Sequence, residues 1–533
     1  MKIKNILTAI FLCGALSSCV VNELVPSQTN PSVSFVRESV TLPKSGGSQK
    51  VAINATCDWT ISNETDWIKV SPLSGTSATK DITVTIDEVL PTDESRTAKL
   101  VIVNSVNPLD ADTLLVVQAV GFEGVIRDYE TMMEFFEACE NIIDGEVIEL
   151  TADIDLKDQT IEPIKVFNGV LKGNGHKIYN FNVKSEYATA GFILTLNGSI
   201  ENLIVGSSDG ENWDRKTNIK FADGVTATAA GLVAINFGTI ENVSNYASID
   251  FNAKTSDADG SVGGIAGSLG TASATIKNCH NYGSVSFTGT LGARGGIGGI
   301  LGFSAQSGAV VEGCVNHAAI VQSTQNAKEF SMGGVVARAN NKLIVRDCTN
   351  EGNVSYTCTE KPGSYIHIAG ILGAGYSMCE VTDCVNKGSI SSCINQVNRI
   401  GGIAGTINTG GLLKNCRNTG SVSIAQLTNA NWQGVGGICG FEEKASESSP
   451  FLIKNCVNEG PVSISVDNAT DHANCVAGGG IIGTCCSYIE VAENTNKAKV
   501  TGSNTSGAAV YLGGIFGWYL KGVAGNFHDN VNE

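Results

Sequence analysis

A Gly-Gly-Ile-x-Gly phrase, intact or divergent, returns nine times along this 533-residue chain, with its second glycine at Gly231, Gly264, Gly299, Gly334, Gly370, Gly402, Gly437, Gly480 and Gly514. The steps between them are 33, 35, 35, 36, 32, 35, 43 and 34 residues. Most copies continue with a short apolar run, then Asn-Cys-x-Asn or a variant of it, then x-Gly-x-Val or a close relative. Self-similarity at such a period marks stacked supersecondary units, each unable to bury its apolar face without neighbours. The fold is therefore a solenoid.

The repeat reads as β. Helical repeats carry apolar residues every three or four positions over ten or more residues, whereas the apolar runs here are short and bracketed by glycine and asparagine. In one unit Gly263-Gly264-Ile265-Ala266-Gly267 precedes Ala274-Thr275-Ile276-Lys277-Asn278-Cys279 and Gly283-Ser284-Val285-Ser286-Phe287. Glycine at the corners accepts backbone angles that other residues resist, and asparagine tolerates the left-handed region. Three short strands per repeat, each pairing with its counterpart in the next turn, predict a parallel β-helix.

Two inward columns follow from the alignment. One runs Val243, Cys279, Cys314, Cys348, Cys384, Cys416, Cys456, Asn494, Asn530; the other, two residues on, runs Asn245, Asn281, Asn316, Asn350, Asn386, Asn418, Asn458, Asn496, Asn532. Strands about 4.8 Å apart stack identical side chains, so the asparagines are expected to form an internal ladder. The cysteines read as small buried hydrophobes filling a tight corner. Metal binding is the alternative, but no C-x-x-C pair with a matching histidine supports it, and neither metal nor cofactor is expected. Glu351 and Lys387, beside the asparagine ladder, are expected to pair across coils.

The segment Gly231-Leu232-Val233-Ala234-Ile235-Asn236-Phe237-Gly238-Thr239-Ile240-Glu241-Asn242 resembles the GLUG motif of bacterial surface and secreted proteins. Later copies keep the glycines and lose the Asn-x-Gly-Thr-Ile middle. The resemblance implies an extracellular β-solenoid and no particular reaction.

At the N-terminus, Lys2 and Lys4 precede an apolar run from Ile6 to Ala15, too short to span a bilayer, which reads as a signal peptide. It ends Leu16-Ser17-Ser18-Cys19, which resembles a bacterial lipobox. That likeness makes residues 1–19 signal and lipobox, Cys19 the lipidated residue, residues 20–31 a tether, and the outer membrane, on its cell-surface side, the address. Lipid at Cys19 would be the membrane anchor. Setting aside Cys13 and Cys19 leaves an odd number of the seventeen cysteines, mostly in one column, which favours unpaired thiols over a disulfide framework. The formal net charge of −17 argues against nucleic acid as a partner.

Between residues 32 and 120 the phrase is absent. Alternating runs such as Val51-Ala52-Ile53-Asn54-Ala55 and Ile82-Thr83-Val84-Thr85-Ile86, with turns at Gly46-Gly47 and Pro72-Leu73-Ser74-Gly75, predict a small antiparallel β-sandwich of immunoglobulin-like kind. Cys57-Asp58-Trp59-Thr60-Ile61, Trp67-Ile68-Lys69-Val70-Ser71-Pro72, Ser74-Gly75-Thr76, Arg96-Thr97-Ala98 and Gln118 resemble the BACON domain of Bacteroidetes. The resemblance implies a carbohydrate-binding module or a spacer. Trp59 and Trp67 offer ring faces to sugars or, alternatively, fill the core.

Residues 121–533 are expected to form the solenoid. Tyr129 to Cys139 has helical apolar spacing and leads into Val147-Ile148-Glu149-Leu150 and Leu171-Lys172-Gly173-Asn174-Gly175. This order resembles the N-terminal cap and first coils of pectate-lyase-like proteins, which implies a right-handed β-helix with a capping helix. A cap is needed because a solenoid's end exposes unpaired strand edges. At the other end the chain reads His528-Asp529-Asn530-Val531-Asn532-Glu533 and stops in mid-coil. That edge is open to a surface-protein partner or to self-association.

Three functions compete. A binder, adhering to or capturing glycans or glycoproteins, would use a rigid face with projecting loops. Aromatic candidates are Trp213 in an extra loop, Trp432 in the insertion after the third strand, Trp59 and Trp67, with His472 in a further insertion. The alternative is a carbohydrate-active enzyme, lyase or hydrolase, needing paired acids at a set separation. Asp347 and Asp383 precede the cysteine column on neighbouring coils, but Asn242, Asn278, Gly313, Asn415 and Asn455 share their position, so turn-bonding explains them as well. No Ser-His-Asp order, P-loop or His-Glu-x-x-His motif occurs. The balance leans away from an enzyme. A purely structural surface protein is the third reading.

Overall fold

The computed structural model describes residues 31–118, 122 and 124–533, apart from 43–45, 89, 91–94, 186–188, 207–217, 222–227, 252–259, 288–293, 323–328, 358–364, 394–396, 430–432, 443, 472–475, 506–508 and 520–524. The chain divides after Ala119 into two compact units.

In the first unit, strands Val33–Phe35, Gly47–Ala55, Asp81–Ile86 and Lys69–Ser71 form one sheet. Ser39–Leu42, Ala111–Gln118, Arg96–Asn104, Trp59–Asn63 and Ser74–Gly75 form a second. Alternation sends Val51, Ile53, Ile82, Val84, Leu100, Ile102, Leu114 and Val116 into one shared core. Not every pairing is antiparallel as expected: Ser39–Leu42 runs parallel to Ala111–Gln118.

The second unit is all strand beyond its cap. The helix Tyr129–Ala138 is closed at its start by Asp128, whose carboxylate accepts from Thr131 N while the Thr131 side chain returns to the cap backbone. Met132 and Phe135 join the solenoid core, with Phe135 edge-on to Phe167 at 6.0 Å and Phe136 to Phe192 at 6.0 Å. The helix thus covers apolar ends of the first coils.

A central coil has five strands, not three: Glu329–Gly333, Val336–Ala339, Leu343–Arg346, Thr349–Asn350 and Val354–Tyr356. Each pairs parallel and in register with the next coil, for instance Met332 with Ile368, Val336 with Leu372, Val345 with Val381, Asn350 with Asn386 and Val354 with Ile390. The stack makes four long parallel sheets, called here first to fourth in chain order; the fourth takes the last two strands of every coil. The first two strands read in the sequence as one glycine phrase, and the two-residue fourth strand shows no alternation, so three per repeat were visible.

The interior is two cores. Val335, Val336, Val345 and Cys348 belong to one, and Phe330, Met332, Val354 and Tyr356 to the other. Along the chain the changeover falls at Gly334 and again at Asn350, and these two residues touch. Each side chain fully withdrawn from water contributes about 1.5–3 kcal/mol, and every coil repeats the set. Among the described residues no helix is long and apolar enough to cross a membrane.

Candidate functional site

The two predicted columns are present. Each ladder asparagine donates Nδ2 to Oδ1 of the next coil's asparagine, Asn245 to Asn281 at 3.0 Å, Asn316 to Asn350 at 2.9 Å, and so on to Asn496 and Asn532 at 2.8 Å. The second Nδ2 hydrogen goes to a carbonyl two residues on, as from Asn350 to Gly352 at 2.8 Å. The column cysteines Cys279, Cys314, Cys348, Cys384, Cys416 and Cys456 are buried and form no disulfide, and their thiols donate to backbone carbonyls, Cys348 to Arg346 at 3.2 Å and Cys384 to Thr382 at 3.1 Å. Burial pushes the Cys314, Cys348, Cys384 and Cys456 thiols well above their ordinary range. Among the described residues no group of three or more His, Cys, Asp or Glu is placed to hold a metal.

Asp347 and Asp383 sit on successive coils at an exposed corner with φ of 54° and 56°. Asn278, Gly313, Asn415 and Asn455 occupy the same corner with φ of 51–64°. The position selects residues that tolerate the left-handed region. Asp383 accepts from Asn415 Nδ2 at 2.9 Å, one rung of an outer ladder. The pair therefore has a structural explanation that needs no substrate.

Trp59 is 1% exposed in the first unit's core. Trp67 is half-buried, with the Arg96 guanidinium 4.2 Å above its ring. Trp213, Trp432, His472 and Cys19 lie outside the described residues. Glu351 and Lys387 pair across coils at 2.9 Å as expected. Beside them Tyr246, Tyr282 and His317 stack in sequence at 4.4 and 4.3 Å.

The feature that column reading missed lies on the outer side of the first and second sheets. From Val233–Asn236 onward every second-sheet strand has a small residue at its second position, usually the last glycine of the phrase. A Cβ there would strike the first sheet of the preceding coil: Gly302 would meet Val262 N at 2.7 Å, Gly373 would meet Met332 O at 2.6 Å, Gly440 would meet Ile400 N at 2.5 Å. The two sheets thus meet at a re-entrant angle and leave a groove along the solenoid. Small residues fill most of its floor, such as Ser261, Gly296 and Ser331 in the first sheet.

Over three coils the floor changes character. A cleft of about 280 Å³ opens there, to which the first sheet contributes Glu329, Tyr365, His367 and Arg399, and the second sheet and its turns Arg338, Asn340, Tyr376 and Lys444. A second cleft of about 220 Å³, lined by Gly296, Gly302 and Phe303 among others, adjoins it, and Arg338 borders both. Arg338 and Arg399 are only 5% and 3% exposed. The Arg399 guanidinium lies between the rings of Tyr365 and Phe441, 4.4 and 4.2 Å from their centres. Arg338 sits 5.4 Å from the Tyr376 ring and 5.6 Å from that of Phe303, and Nε donates to Asn340 Oδ1 at 3.1 Å.

His367 is held beneath them. Its Nδ1 is 2.8 Å from Thr406 Oγ1, and its Nε2 is 3.4 Å from the Tyr376 hydroxyl and 3.9 Å from Glu329. Tyr376 donates its hydroxyl proton to Glu329. Burial, with Arg399 and Arg338 nearby, holds the imidazole well below its ordinary range and therefore neutral. Burial and the Glu329 carboxylate push the Tyr376 phenol up. Three cationic side chains, Arg338, Arg399 and Lys444, thus face one carboxylate. One signal in the chain points here: three residues before the second glycine the column reads Ser261, Gly296, Ser331, then His367 and Arg399.

No protein-family model matches the chain, and no curated protein matches it either. Three solved structures share parts of its shape. A Bacteroides ovatus protein assigned as an immunoglobulin A1 protease is 17% identical, with 51% of this chain and 77% of that one covered and a TM-score of 0.35. An IgA1 protease is 11% identical over 73% of this chain and 29% of its own, with a TM-score of 0.34. A Bacteroides ovatus GH5 xyloglucanase, solved with a XXXG heptasaccharide, is 16% identical over 36% and 45%, with a TM-score of 0.17. At such values the chemistry of the groove rests on its own residues.

Proposed function

We propose that this is a lipid-anchored surface protein that binds glycans or glycoproteins in the groove between the first and second sheets of its β-solenoid. The observation that carries the reading is the cleft itself: a concave site on a rigid scaffold, lined by Tyr365 and Tyr376 and by two buried arginines against which Phe441 and Phe303 pack. Ring faces flanked by fixed hydrogen-bonding groups suit a sugar, whose own faces are apolar and whose edges are polar. In this reading the N-terminal unit is a BACON-like sandwich serving as stalk or accessory module. Lipid at Cys19 holds the chain to the outer membrane, and the GLUG-like solenoid is the displayed body.

The experiment is a glycan array, followed by titration of the intact chain with the glycans retained. Tyr365→Ala, at an exposed ring that lines the cleft, should weaken retention at least fivefold with the fold intact. A blank array sinks the reading and favours a structural surface protein.

The second reading, a carbohydrate-active enzyme, draws on the contact of Tyr376 with Glu329 and His367 beside the arginines. Acid-base groups side by side at a cationic cleft are what proton transfer on a sugar requires. Release of unsaturated or reducing sugars, abolished by Tyr376→Phe, would establish it in place of simple capture.

A further inference from the structure

We infer that the groove is built for an acidic sugar, with Arg338 and Arg399 clamping the carboxylate of a uronate or sialate residue. This rests on the glycan-binding reading and names the class of glycan.

The reasoning starts from charge. The chain as a whole carries −17, yet this one cleft concentrates three cations around a single carboxylate. Arg338 makes no ion pair among the described residues; its one hydrogen bond there runs from Nε to Asn340, while its side chain is 5% exposed. A guanidinium withdrawn from water is unfavourable by several kcal/mol unless paired, and Glu329, the one carboxylate lining the cleft, already accepts from the Tyr376 hydroxyl. A solenoid coil has no structural use for one: the same second-sheet column holds Ser268 and Phe303 on earlier coils and Ala374 and Thr406 on later ones, all without a charge. The first-sheet column likewise holds Gly296 and Gly434 where this coil set holds His367 and Arg399. The scaffold folds with uncharged residues at these sites on other coils, so the arginines mark what the site receives.

The geometry then selects the anion. Rings flank each guanidinium, Tyr365 and Phe441 at 4.4 and 4.2 Å for Arg399, Tyr376 and Phe303 at 5.4 and 5.6 Å for Arg338. A guanidinium carries a planar fork of N–H donors, and a carboxylate approaching in that plane accepts two parallel hydrogen bonds. His367, neutral and hydrogen-bonded to Thr406, adds no competing charge. Lys444 stands exposed at the rim, where it draws the anion in without being buried by it. The volume of about 280 Å³ admits a small ligand group, and the adjoining cleft of about 220 Å³ along the solenoid axis gives the next residue of a chain a place to lie.

The test is calorimetric titration of the full chain with four probes: trigalacturonate, its trimethyl ester, 3′-sialyllactose and a sulfated neutral oligosaccharide. Binding of trigalacturonate or sialyllactose at least tenfold tighter than of the ester supports the inference and names the source of the carboxylate. Arg338→Gln and Arg399→Gln should each remove that preference, with thermal melting and far-ultraviolet circular dichroism reporting the fold. Should the buried variants fail to fold, Lys444→Gln at the rim should weaken the acidic probe twofold or more at low salt and leave the ester unchanged. Equal affinity for acid and ester overturns the inference while glycan binding stands. Acid preference that survives every variant overturns it too, as does binding of the sulfated probe alone. Silence from all four, together with a blank array, takes both readings down.

Discussion

Gly334 lies so close to Asn350 that a Cβ on the glycine would come within 2.2 Å of Asn350 Cγ and 2.3 Å of the Gly370 carbonyl oxygen. The contact recurs at Gly299 with Asn316 and at Gly370 with Asn386. It is where the coil is pinched into two cores, and it ties the two most regular columns of the chain together. Gly334→Ala should therefore destabilise the solenoid by more than about 3 kcal/mol, since both neighbours are fixed by the ladder. Asn350→Ala should lower stability by a similar amount, because it strands the amide of Asn316 and the carbonyl of Gly352 in a site without water. Chemical denaturation followed by far-ultraviolet circular dichroism measures both, and a loss under 1 kcal/mol in either would refute the pinch as a structural necessity.

The thiol column makes a second expectation. Cys314, Cys348, Cys384 and Cys456 are fully buried, and burial holds their thiols protonated far above neutral pH. Thiolate is the reactive form, so these positions should resist alkylation in the native chain at pH 8. Among the described residues Cys57, Cys393 and Cys486 are only half-buried, and these should be the sites that iodoacetamide labels. Peptide mapping after a timed exposure separates the two sets. Labelling of Cys348 at the rate of Cys393 would contradict the buried column.

The repeat made the ladder, the cysteine corner and the Glu351–Lys387 pair legible, because each is a column of like residues at one offset and stacking follows from strand spacing alone. The division of the glycine phrase into a first and a second strand, and the fourth strand of each coil, were not legible. Thr349–Asn350 is two residues long, and its existence depends on pairing with Val385–Asn386 on the next coil rather than on any pattern of its own. The groove was hidden for another reason. Its angle is set by Gly373 lying against Met332 of the preceding coil, a contact between repeats. Arg338, His367 and Arg399 break the pattern of their columns, and a search for repetition passes over what departs from it. Asp347 and Asp383 drew notice because they are acidic, yet their corner explains them by backbone angle.

Trp59 is buried beneath Gly75, where a Cβ would fall 2.5 Å from its ring, and it packs in the core shared by both sheets of the first unit. Trp59→Ala should cost that unit about 3–5 kcal/mol. Glycan affinity measured on the intact chain below the transition should not change. An unaltered melting profile combined with weaker sugar binding would restore Trp59 as a ligand platform.

Acid should weaken the groove through His367. In the folded chain its imidazole is held well below 6.5 by burial and by Arg399 and Arg338 on either side, with Glu329 3.9 Å away and the Tyr376 hydroxyl 3.4 Å away. In the unfolded chain it takes a proton near pH 6.5. Below that value the unfolded state binds a proton that the folded state refuses, so this residue's contribution is fully present above about pH 6.5 and lost as pH falls below it. The slope approaches about 1.4 kcal/mol per pH unit at most. Buried Glu442 and half-buried Glu146, whose carboxyls are pushed up, shift stability the opposite way, so the informative quantity is a difference. Denaturation midpoints of the natural chain and of His367→Gln, measured between pH 7.5 and 5, should converge as the pH falls. Parallel curves over that range would show that the imidazole accepts its proton in place.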